Sequence, residues 1–519
     1  MKSKNKFYDF VIIGSGFGGS VSAMRLTEKG YKVLVIEKGK KLGANDFPKT
    51  NWNLKRWLWL PILRFFGFFK ITFYRHVAIL SGVGVGGGSL VYANTLPIPK
   101  SDFFNAETWS HLADWENELL PFYKEAKRML GVSQNPILQN GDIILKNIAQ
   151  KSGKGNNFSA TDVAVFFGEP EVTVPDPYFN GEGPDRAGCQ FCGACMIGCR
   201  YNAKNTLDKN YLYFAEKNGA EIISESEVYD VIPLGDKGGN GYRILWKSST
   251  NLFKTKHETK TKGIIFSGGV LGTVPLLLKL KEKSLPNLSS KVGRGIRTNS
   301  ESLLGVTSTK KDTVFSDGVA IGSIFNTDDH SNVEPVRYPS GSGFWRLQMV
   351  PMLEGKNWFS RLLKIIYEII KHPVKWSRLY FVKDWAKKTQ ILLFMQTINS
   401  TLKFEKGLFR MKSKLEKGTA PTAFMPEARK LAADFAEESG ATTTALLSET
   451  VLGIPTTAHI LGGSVMGKDI SEGVIDKNNK VFGYENMFVC DGSAISANPG
   501  VNPSLTITAI TERAMSKIN

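Results

Sequence analysis

A glycine-rich turn between two apolar segments is the feature that most constrains the fold. Residues 10–13 (Phe-Val-Ile-Ile) are typical of a buried strand, and residues 32–37 (Lys-Val-Leu-Val-Ile-Glu) of a second strand. Between them, Gly14-Ser15-Gly16-Phe17-Gly18-Gly19 opens a helix. This order predicts a strand–helix–strand unit with two parallel strands.

Three of these glycines have separate physical tasks in such a unit. Gly14 permits the tight turn, Gly16 lets the backbone approach a pyrophosphate, and Gly19 brings helix and strand close together. The free N–H groups at the start of the helix then face the negative charge. Glu37 is placed to accept hydrogen bonds from ribose hydroxyls, which disfavours a 2′-phosphate. We predict a Rossmann-like dinucleotide site; an ordinary strand-to-helix turn is the alternative.

Five further motifs resemble those of the glucose-methanol-choline (GMC) oxidoreductases, and they occur in the family's order over most of the chain. They are residues 82–91 (GVGVGGGSLV), 263–273 (GIIFSGGVLGT), 458–463 (AHILGG), 489–493 (VCDGS) and 500–510 (GVNPSLTITAI). Within the family the chain looks most like the bacterial cholesterol oxidase type. The His-Pro-Leu-Gly-Gly of that type appears here as His459-Ile460-Leu461-Gly462-Gly463, with the proline replaced.

The resemblance implies FAD as the cofactor, held by both ends of the chain. It implies that Val228 contacts the adenine region through its backbone, and that the helix beginning near Pro503 points its amino end at the flavin. Asp491 and Gly492 are expected near the ribityl or pyrophosphate portion. The full set of expected cofactor-binding residues is Gly14, Gly16, Gly18, Gly19, Glu37, Gly86, Gly87, Gly88, Ser89, Val228, Asp491, Gly492, Asn502 and Pro503.

The resemblance also implies an alcohol-oxidising site at His459 and Asn502. Oxidation of a secondary alcohol needs a hydride acceptor, here the flavin N5, and a group that takes the hydroxyl proton. Histidine suits this task because its pKa lies near neutrality. Asn502 is expected near the flavin, where it helps to stabilise the reduced state. The structural alternatives are a hydrogen-bonding loop histidine and an asparagine–proline turn signal.

Glu354 is the candidate for a second reaction. Cholesterol oxidases of this type also move a double bond with a carboxylate base above the sterol. Glu354 lies in the region where the family places that glutamate, and an apolar cavity suits a base that removes a proton from carbon. The alternative is a solvated turn glutamate before Gly355.

Four of the five cysteines form a C-x2-C-x2-C-x3-C run: Cys189, Cys192, Cys195 and Cys199. This spacing matches the bacterial ferredoxin pattern, which predicts an iron–sulfur cluster of the [4Fe-4S] type. However, Arg200 stands where ferredoxins place a proline, and the chain has no second run. Zinc and unligated thiols are the alternatives. A cluster would favour a dehydrogenase over an oxidase, because it offers electrons another route.

The formal net charge is +18, and in two segments basic residues are interleaved with aromatic or apolar ones. Residues 49–75 contain six basic residues, no acid and many aromatic rings, and residues 358–371 have an amphipathic helical pattern. These patterns favour contact with an anionic membrane surface; packing around a cavity and a core helix are the alternatives. Nucleic acid is a poor candidate partner, because no recognised binding motif accompanies the charge.

The predicted fold class is α/β, with a Rossmann-like FAD-binding domain and an interleaved α+β substrate domain. We assign residues 1–50, 77–105, 200–305 and 455–519 to the FAD-binding domain. The substrate domain takes residues 51–76, 106–199 and 306–454, including a membrane-facing lid (51–76 and 345–395) and the cysteine cluster. With neither a signal region nor an apolar run of about 18 residues, we expect a cytoplasmic protein that is peripheral on the inner face of the membrane.

The predicted function is FAD-dependent oxidation of the CH–OH group of a sterol-like or lipophilic alcohol, with oxygen or another carrier as electron acceptor. One alternative is a dehydrogenase of a polar alcohol or sugar that passes electrons through the cysteine site. The other is an electron-transfer flavoprotein without an alcohol substrate.

Overall fold

The first unit of the fold is a seven-stranded mixed sheet built from both ends of the chain. The computed structural model describes residues 6–398, 400–407 and 410–519. In spatial order the strands are Glu221–Ile223, Val33–Ile36, Phe7–Ile13, Lys256–Phe266, Tyr242–Ser248 and Ser226–Pro233, with Met487–Val489 also paired to Lys256–Phe266. The first four and Met487–Val489 run parallel, which confirms the predicted Rossmann-like α/β class.

Helices cover this sheet and share its core. Phe17–Glu28 packs against Ser504–Ser516 and Tyr211–Lys217, and Ser504–Ser516 packs against Trp115–Met129. The first and last helices of the chain are therefore neighbours. This contact explains how motifs from opposite termini reach one site.

The second unit is a seven-stranded antiparallel sheet. In spatial order its strands are Met349–Pro351, Thr442–Leu446, Ser302–Thr307, Thr389–Gln396, Ser331–Val336, Ser323–Asn326 and Phe158–Ala160. Because side chains alternate along a strand, Leu392 and Phe394 point to one face of the sheet. There they pack with apolar residues of helices Asn140–Lys151 and Pro426–Ser439. Ile391 and Leu393 point to the other face, which forms the wall of a cavity.

Smaller elements connect the two units. A three-stranded sheet joins Thr456–Thr457 to Ala78–Gly82 and Phe69–Phe73. The remaining helices are Leu54–Trp57, Ser101–Phe104, Val270–Lys281, Trp358–Lys371, Pro373–Tyr380 and Trp385–Lys388, and the remaining strands are Trp59–Leu60, Phe65–Phe66, Ser133–Gln134, Asp162–Val163, Thr173–Val174, Arg186–Ala187, Thr401–Lys406 and Met411–Lys417. The division into two domains at the predicted boundaries stays a prediction.

The two basic and aromatic segments behave differently. In residues 49–75, Trp57 and Phe68 are fully buried, and Trp57 stacks on Phe69, so much of this segment is interior packing. Helix Trp358–Lys371 instead buries only Arg361 and Ile365. Its large apolar residues are exposed: Trp358, Phe359, Leu363, Ile366, Tyr367 and Ile370. It is therefore not a core helix. Within the described ranges, no helix is long and apolar enough to cross a bilayer.

Candidate active site

A cavity of about 690 Å³ is lined by residues from both units. The lining includes the glycine turn, Glu37 and Val228. It also includes side chains from the antiparallel sheet, and His459 and Asn502. The cavity therefore brings together the two ends of the chain and the second sheet.

Backbone packing explains the glycine turn. Gly14 adopts φ 102°, and a Cβ there would lie 2.4 Å from the carbonyl oxygen of Ser267. A Cβ on Gly18 would lie 1.7 Å from the carbonyl oxygen of Cys490, so Gly18 holds the carboxyl-terminal segment against the turn. At Gly16 an added Cβ would meet no protein atom within 4 Å. Gly16 thus faces the open cavity, and its role beside a pyrophosphate stays a prediction.

Three helices begin at this cavity without a capping side chain. They are Phe17–Glu28, Val270–Lys281 and Ser504–Ser516, and none has an acidic residue in its first turn. Residues at each start line the cavity. The partial positive charge at the starts of Phe17–Glu28 and Ser504–Ser516 is therefore available to a bound anion, whereas at Val270–Lys281 the carboxylate of Asp491 accepts from the N of Gly269. This arrangement fits the pyrophosphate of a dinucleotide and the negative charge of a reduced flavin.

Hydrogen bonds from the protein backbone and from Ser15 hold Glu37 in place. Its Oε2 accepts hydrogen bonds from the backbone N and Oγ of Ser15, at 3.0 and 2.8 Å, and its Oε1 accepts from the N of Gly39 at 2.8 Å. Burial raises the pKa of Glu37, and these hydrogen bonds oppose that effect. A carboxylate has further acceptor capacity for ribose hydroxyls.

Asp491 ties the carboxyl-terminal motif to the start of helix Val270–Lys281. Its Oδ2 accepts from the N of Gly269 at 2.9 Å and from the Oγ1 of Thr273, and its Oδ1 accepts from the N and Oγ of Ser493, at 2.8 and 2.6 Å. All four contacts fix its orientation. Asp491 therefore positions two backbone segments of the cavity wall.

His459 is buried and oriented by a carboxylate that sequence reasoning missed. Its Nδ1 lies 2.9 Å from Oε1 of Glu301, an ion-pair contact without an aligned hydrogen bond. Glu301 is fixed by Thr457 Oγ1, which donates at 2.5 Å, and by the N of Ala458, which donates at 3.0 Å. Burial acts to lower the pKa of His459, but Glu301 and then Glu334 raise it above its ordinary value.

Asn502 connects His459 to a second buried carboxyl. The Nδ2 of Asn502 lies 3.4 Å from Nε2 of His459 and donates to Oε2 of Glu334 at 3.3 Å. Burial raises the pKa of Glu334 to about 7, while His459 and Asn502 act to lower it. The imidazole therefore lies near two carboxyl groups. Glu301 contacts its Nδ1, and Glu334 contacts Asn502, which lies beside its Nε2.

Comparisons with known proteins identify the family. Models of the GMC oxidoreductase match residues 183–292 and 384–511, and an NAD(P)-binding Rossmann-like domain matches residues 12–56. A cholesterol oxidase of Acinetobacter baumannii is 45% identical over 100% of this chain and 95% of its own. One from Mycobacterium tuberculosis is 42% identical over 98% of this chain and 90% of its own. The chain belongs to the GMC oxidoreductase family.

A solved structure with a similar fold supports the architecture alone. Pyridoxine 4-oxidase from Mesorbium loti superposes with a TM-score of 0.63 at 15% identity and covers 98% of this chain and 99% of its own. The family models and the cholesterol oxidase relatives show that the present chain is an FAD-dependent enzyme that oxidises alcohols. They confirm the enzyme class, cofactor and family predicted from the sequence.

Most of the expected cofactor-binding residues lie on the cavity wall. Those that do are Gly14, Gly16, Gly18, Glu37, Gly87, Gly88, Val228, Asp491, Gly492, Asn502 and Pro503. Gly19, Gly86 and Ser89 do not line it. Gly19 packs on the carbonyl of Gly14, and Ser89 accepts a hydrogen bond from the N of Leu207. These two residues therefore support the loops that line the cavity.

The structure does not bring Glu354 to the cavity, contrary to its expected role. Its side chain is 69% exposed, and it lies 3.5 Å from a guanidinium nitrogen of Arg429. An exposed carboxylate beside a cation lacks the apolar surroundings on which the prediction depended. The side chain of Glu354 is therefore solvated, as the alternative stated.

The iron–sulfur prediction is not supported either. Among the described residues, no group of three or more His, Cys, Asp or Glu side chains is arranged to hold a metal ion. The four cysteines line a pocket of about 20 Å³. Burial raises the pKa of Cys189 and Cys195, and raises that of Cys192 to about 11.

The cysteine run instead packs beside the loop at residues 82–91. Lys204 is buried, and its Nζ donates to the carbonyl oxygens of Leu90, Tyr92 and Cys195, at 3.1, 3.0 and 2.7 Å. Met196, within the run, lines the cavity. The described contacts thus give this segment a role in supporting the cavity wall.

Sequence reasoning missed Glu301 and Glu334. The signal for Glu301 was the polar run Thr298-Asn299-Ser300-Glu301-Ser302, all of it buried. Glu334 is a charged residue within a strand, but Asn332 and Pro335 break the alternation of apolar and polar residues that would have marked it. Neither signal identifies a partner without the fold.

Proposed function

We propose that this enzyme oxidises the secondary hydroxyl group of a sterol-like alcohol. The observation that carries the proposal is the apolar part of the cavity wall. It is formed mainly by Val336, Trp345, Met349, Ile391, Leu393 and Leu446. Such a wall buries a large hydrocarbon skeleton and leaves one polar point, at His459 and Asn502, for its hydroxyl group. The relatives described above, named cholesterol oxidases, support this substrate class.

The chain supplies the proton chemistry. In this proposal Nε2 of His459 accepts the hydroxyl proton while Glu301 keeps Nδ1 oriented and compensates the positive charge that forms. The Asn502 amide holds the substrate oxygen or the cofactor edge beside the imidazole. When bound, FAD supplies the hydride acceptor at its N5 atom. The uncapped start of Ser504–Ser516 favours the negative charge that results.

Molecular oxygen is the proposed electron acceptor. The names of the relatives support an oxidase. Nothing in the described part of the chain favours electron transfer through the cysteine run. Double-bond isomerisation is not part of the proposal, because Glu354 lies outside the cavity.

We also propose that substrate enters from an anionic lipid surface. Helix Trp358–Lys371 packs against strand Met349–Pro351, whose Met349 lines the cavity. The helix presents exposed apolar residues, such as Ile366 at 45% and Ile370 at 71%, beside the exposed cations Lys364 and Lys371. An apolar face with flanking cations suits the headgroup layer of an anionic bilayer.

The test is anaerobic mixing of the holoenzyme with cholesterol, a long-chain primary alcohol, glycerol and glucose, each followed by flavin absorbance. We expect cholesterol to bleach the flavin fastest. In His459→Gln, bleaching should slow by about 100-fold or more while FAD remains bound. Faster bleaching by glycerol or glucose would overturn the substrate class, and near wild-type bleaching in His459→Gln would overturn the catalytic assignment.

A further inference from the structure

Four lysines on the cavity wall lie around one short stretch of an edge strand. The stretch is residues 227–229 in strand Ser226–Pro233, which ends the mixed sheet on one side. All three residues of the stretch line the cavity, and so do the lysines. The lysines, called the lysine rim below, are Lys38, Lys70, Lys247 and Lys279.

Contacts with the edge strand hold three members of the lysine rim in place. Nζ of Lys38 donates to Oε1 of Glu227 at 2.6 Å. Lys247 opposes Glu227 in the neighbouring strand, so their side chains share a face of the sheet. Nζ of Lys279 donates to the carbonyl oxygen of Tyr229 at 2.8 Å. The Nζ atoms of Lys247 and Lys279 each lie 5.7 Å from the centre of the Tyr229 ring, so these cations are close together.

The lysine rim carries more positive charge than its neighbours neutralise. Among the described residues, Glu227 is the one carboxylate that forms an ion pair with a rim lysine, and that lysine is Lys38. Burial and then Lys38 lower the pKa of Lys70 to about 8, whereas Glu227 raises it. Like charges held together in this way repel one another. The excess positive charge indicates that a negatively charged ligand completes the arrangement.

The position of the lysine rim suits the cofactor. The N of Ser226 donates to the carbonyl oxygen of Glu37 at 2.8 Å, so the edge strand begins beside the carboxylate predicted to hold a ribose. Lys279 is exposed and Lys247 is partly exposed, so the rim reaches from the cavity to the solvent. FAD carries its negative charge on the pyrophosphate. A dinucleotide that enters here therefore meets the lysines before it reaches the helix starts.

We propose that the lysine rim steers FAD into the cavity when the holoenzyme assembles. Attraction between the lysines and the pyrophosphate raises the rate of productive encounters, and the start of helix Phe17–Glu28 then receives the phosphates. Charges at the rim of a binding site change the association rate more than the dissociation rate, and salt screens them. No alcohol takes part in this step, which makes it independent of the proposed substrate.

The test removes charge from the rim and follows uptake of FAD. One double variant combines Lys247→Met with Lys279→Met, and a second combines Lys247→Arg with Lys279→Arg, which keeps the charge. The matched control combines Lys310→Met with Lys311→Met, because these lysines are exposed and do not line the cavity. FAD is removed from each full-length protein. Its uptake and release are then measured by stopped-flow flavin fluorescence at low and at high salt.

At low salt we expect the rim variant with methionines to take up FAD about tenfold more slowly than the wild type, and at high salt the two rates should converge. Its dissociation rate should stay within about twofold of the wild-type value. The arginine variant and the control should follow the wild type. Equal uptake rates at low salt would overturn the inference. Slowing that persists at high salt, or that also occurs in the arginine variant, would overturn it too, because it would indicate lost packing rather than lost charge. A wild-type protein that takes up no FAD would overturn it as well.

Discussion

Nδ1 of His459 lies 2.9 Å from Oε1 of Glu301, and both side chains are buried. Glu301 belongs to the polar run before strand Ser302–Thr307, whereas His459 follows the short strand Thr456–Thr457. A carboxylate in this position favours positive charge at Nδ1. It also raises the pKa of the imidazole, which we propose as the base.

Replacing Glu301 tests this relationship. In Glu301→Gln the negative charge that raises the pKa of His459 is lost, so that pKa should fall. A base that works in its neutral form then stays active at lower pH. We expect the acidic limb of kcat/KM to move to lower pH and kcat to fall by about 10- to 100-fold. An acidic limb at the wild-type position would show that Glu301 does not control the imidazole.

The glycine turn offers a pair of variants with opposite expectations. Gly16→Ala adds a methyl group that meets no protein atom, so the apoprotein should keep its thermal stability while its FAD affinity falls by about tenfold or more. Gly18→Ala collides with the carbonyl of Cys490 and should destabilise the apoprotein itself. Thermal unfolding without FAD and fluorescence titration with FAD separate the two. Tight FAD binding by Gly16→Ala would contradict the assigned site.

The buried Glu449 predicts a pH dependence of stability. Burial raises its pKa to about 8. A carboxyl group whose pKa is raised on folding contributes its full stability below the pKa of the unfolded chain and loses that contribution as pH rises through the folded value. The Tm of the holoenzyme should therefore fall between pH 5 and 9, and by a few °C less in Glu449→Gln. The exposed Glu427 provides the control, because Glu427→Gln should follow the wild-type curve.

Vesicle binding tests the exposed helix. Ile366→Ser with Ile370→Ser should weaken cosedimentation with phosphatidylserine-containing vesicles by about tenfold, because each change removes an exposed apolar contact with lipid. Phe253→Ser is the matched control, since Phe253 is 86% exposed in a loop between two strands of the other sheet. Equal loss of binding in the double variant and in Phe253→Ser would exclude a specific role for helix Trp358–Lys371. Higher salt should also weaken vesicle binding by the wild-type protein, because salt screens the attraction between cations and anionic lipid.

The glycine turn, the strands beside it and the carboxyl-terminal motifs were predictable because their signals are local. Apolar runs, turn glycines and the spacing of Glu37 depend on neighbours along the chain, and they led to the α/β class and to a dinucleotide site. The resemblance to the GMC oxidoreductases then implied FAD and an alcohol-oxidising enzyme. The residues predicted around His459 and Asn502 also lie on one cavity wall. Their individual roles stay predictions.

The long-range environment of each side chain was decided by tertiary structure. Glu301, Glu334 and Asn502 are far apart in sequence and meet only because a strand of the antiparallel sheet and the last helix converge on His459. Folding also exposed Glu354 and the apolar face of helix Trp358–Lys371, although their local patterns allowed burial. Burial and charge proximity depend on packing between distant segments, and no pattern along the chain specifies that packing.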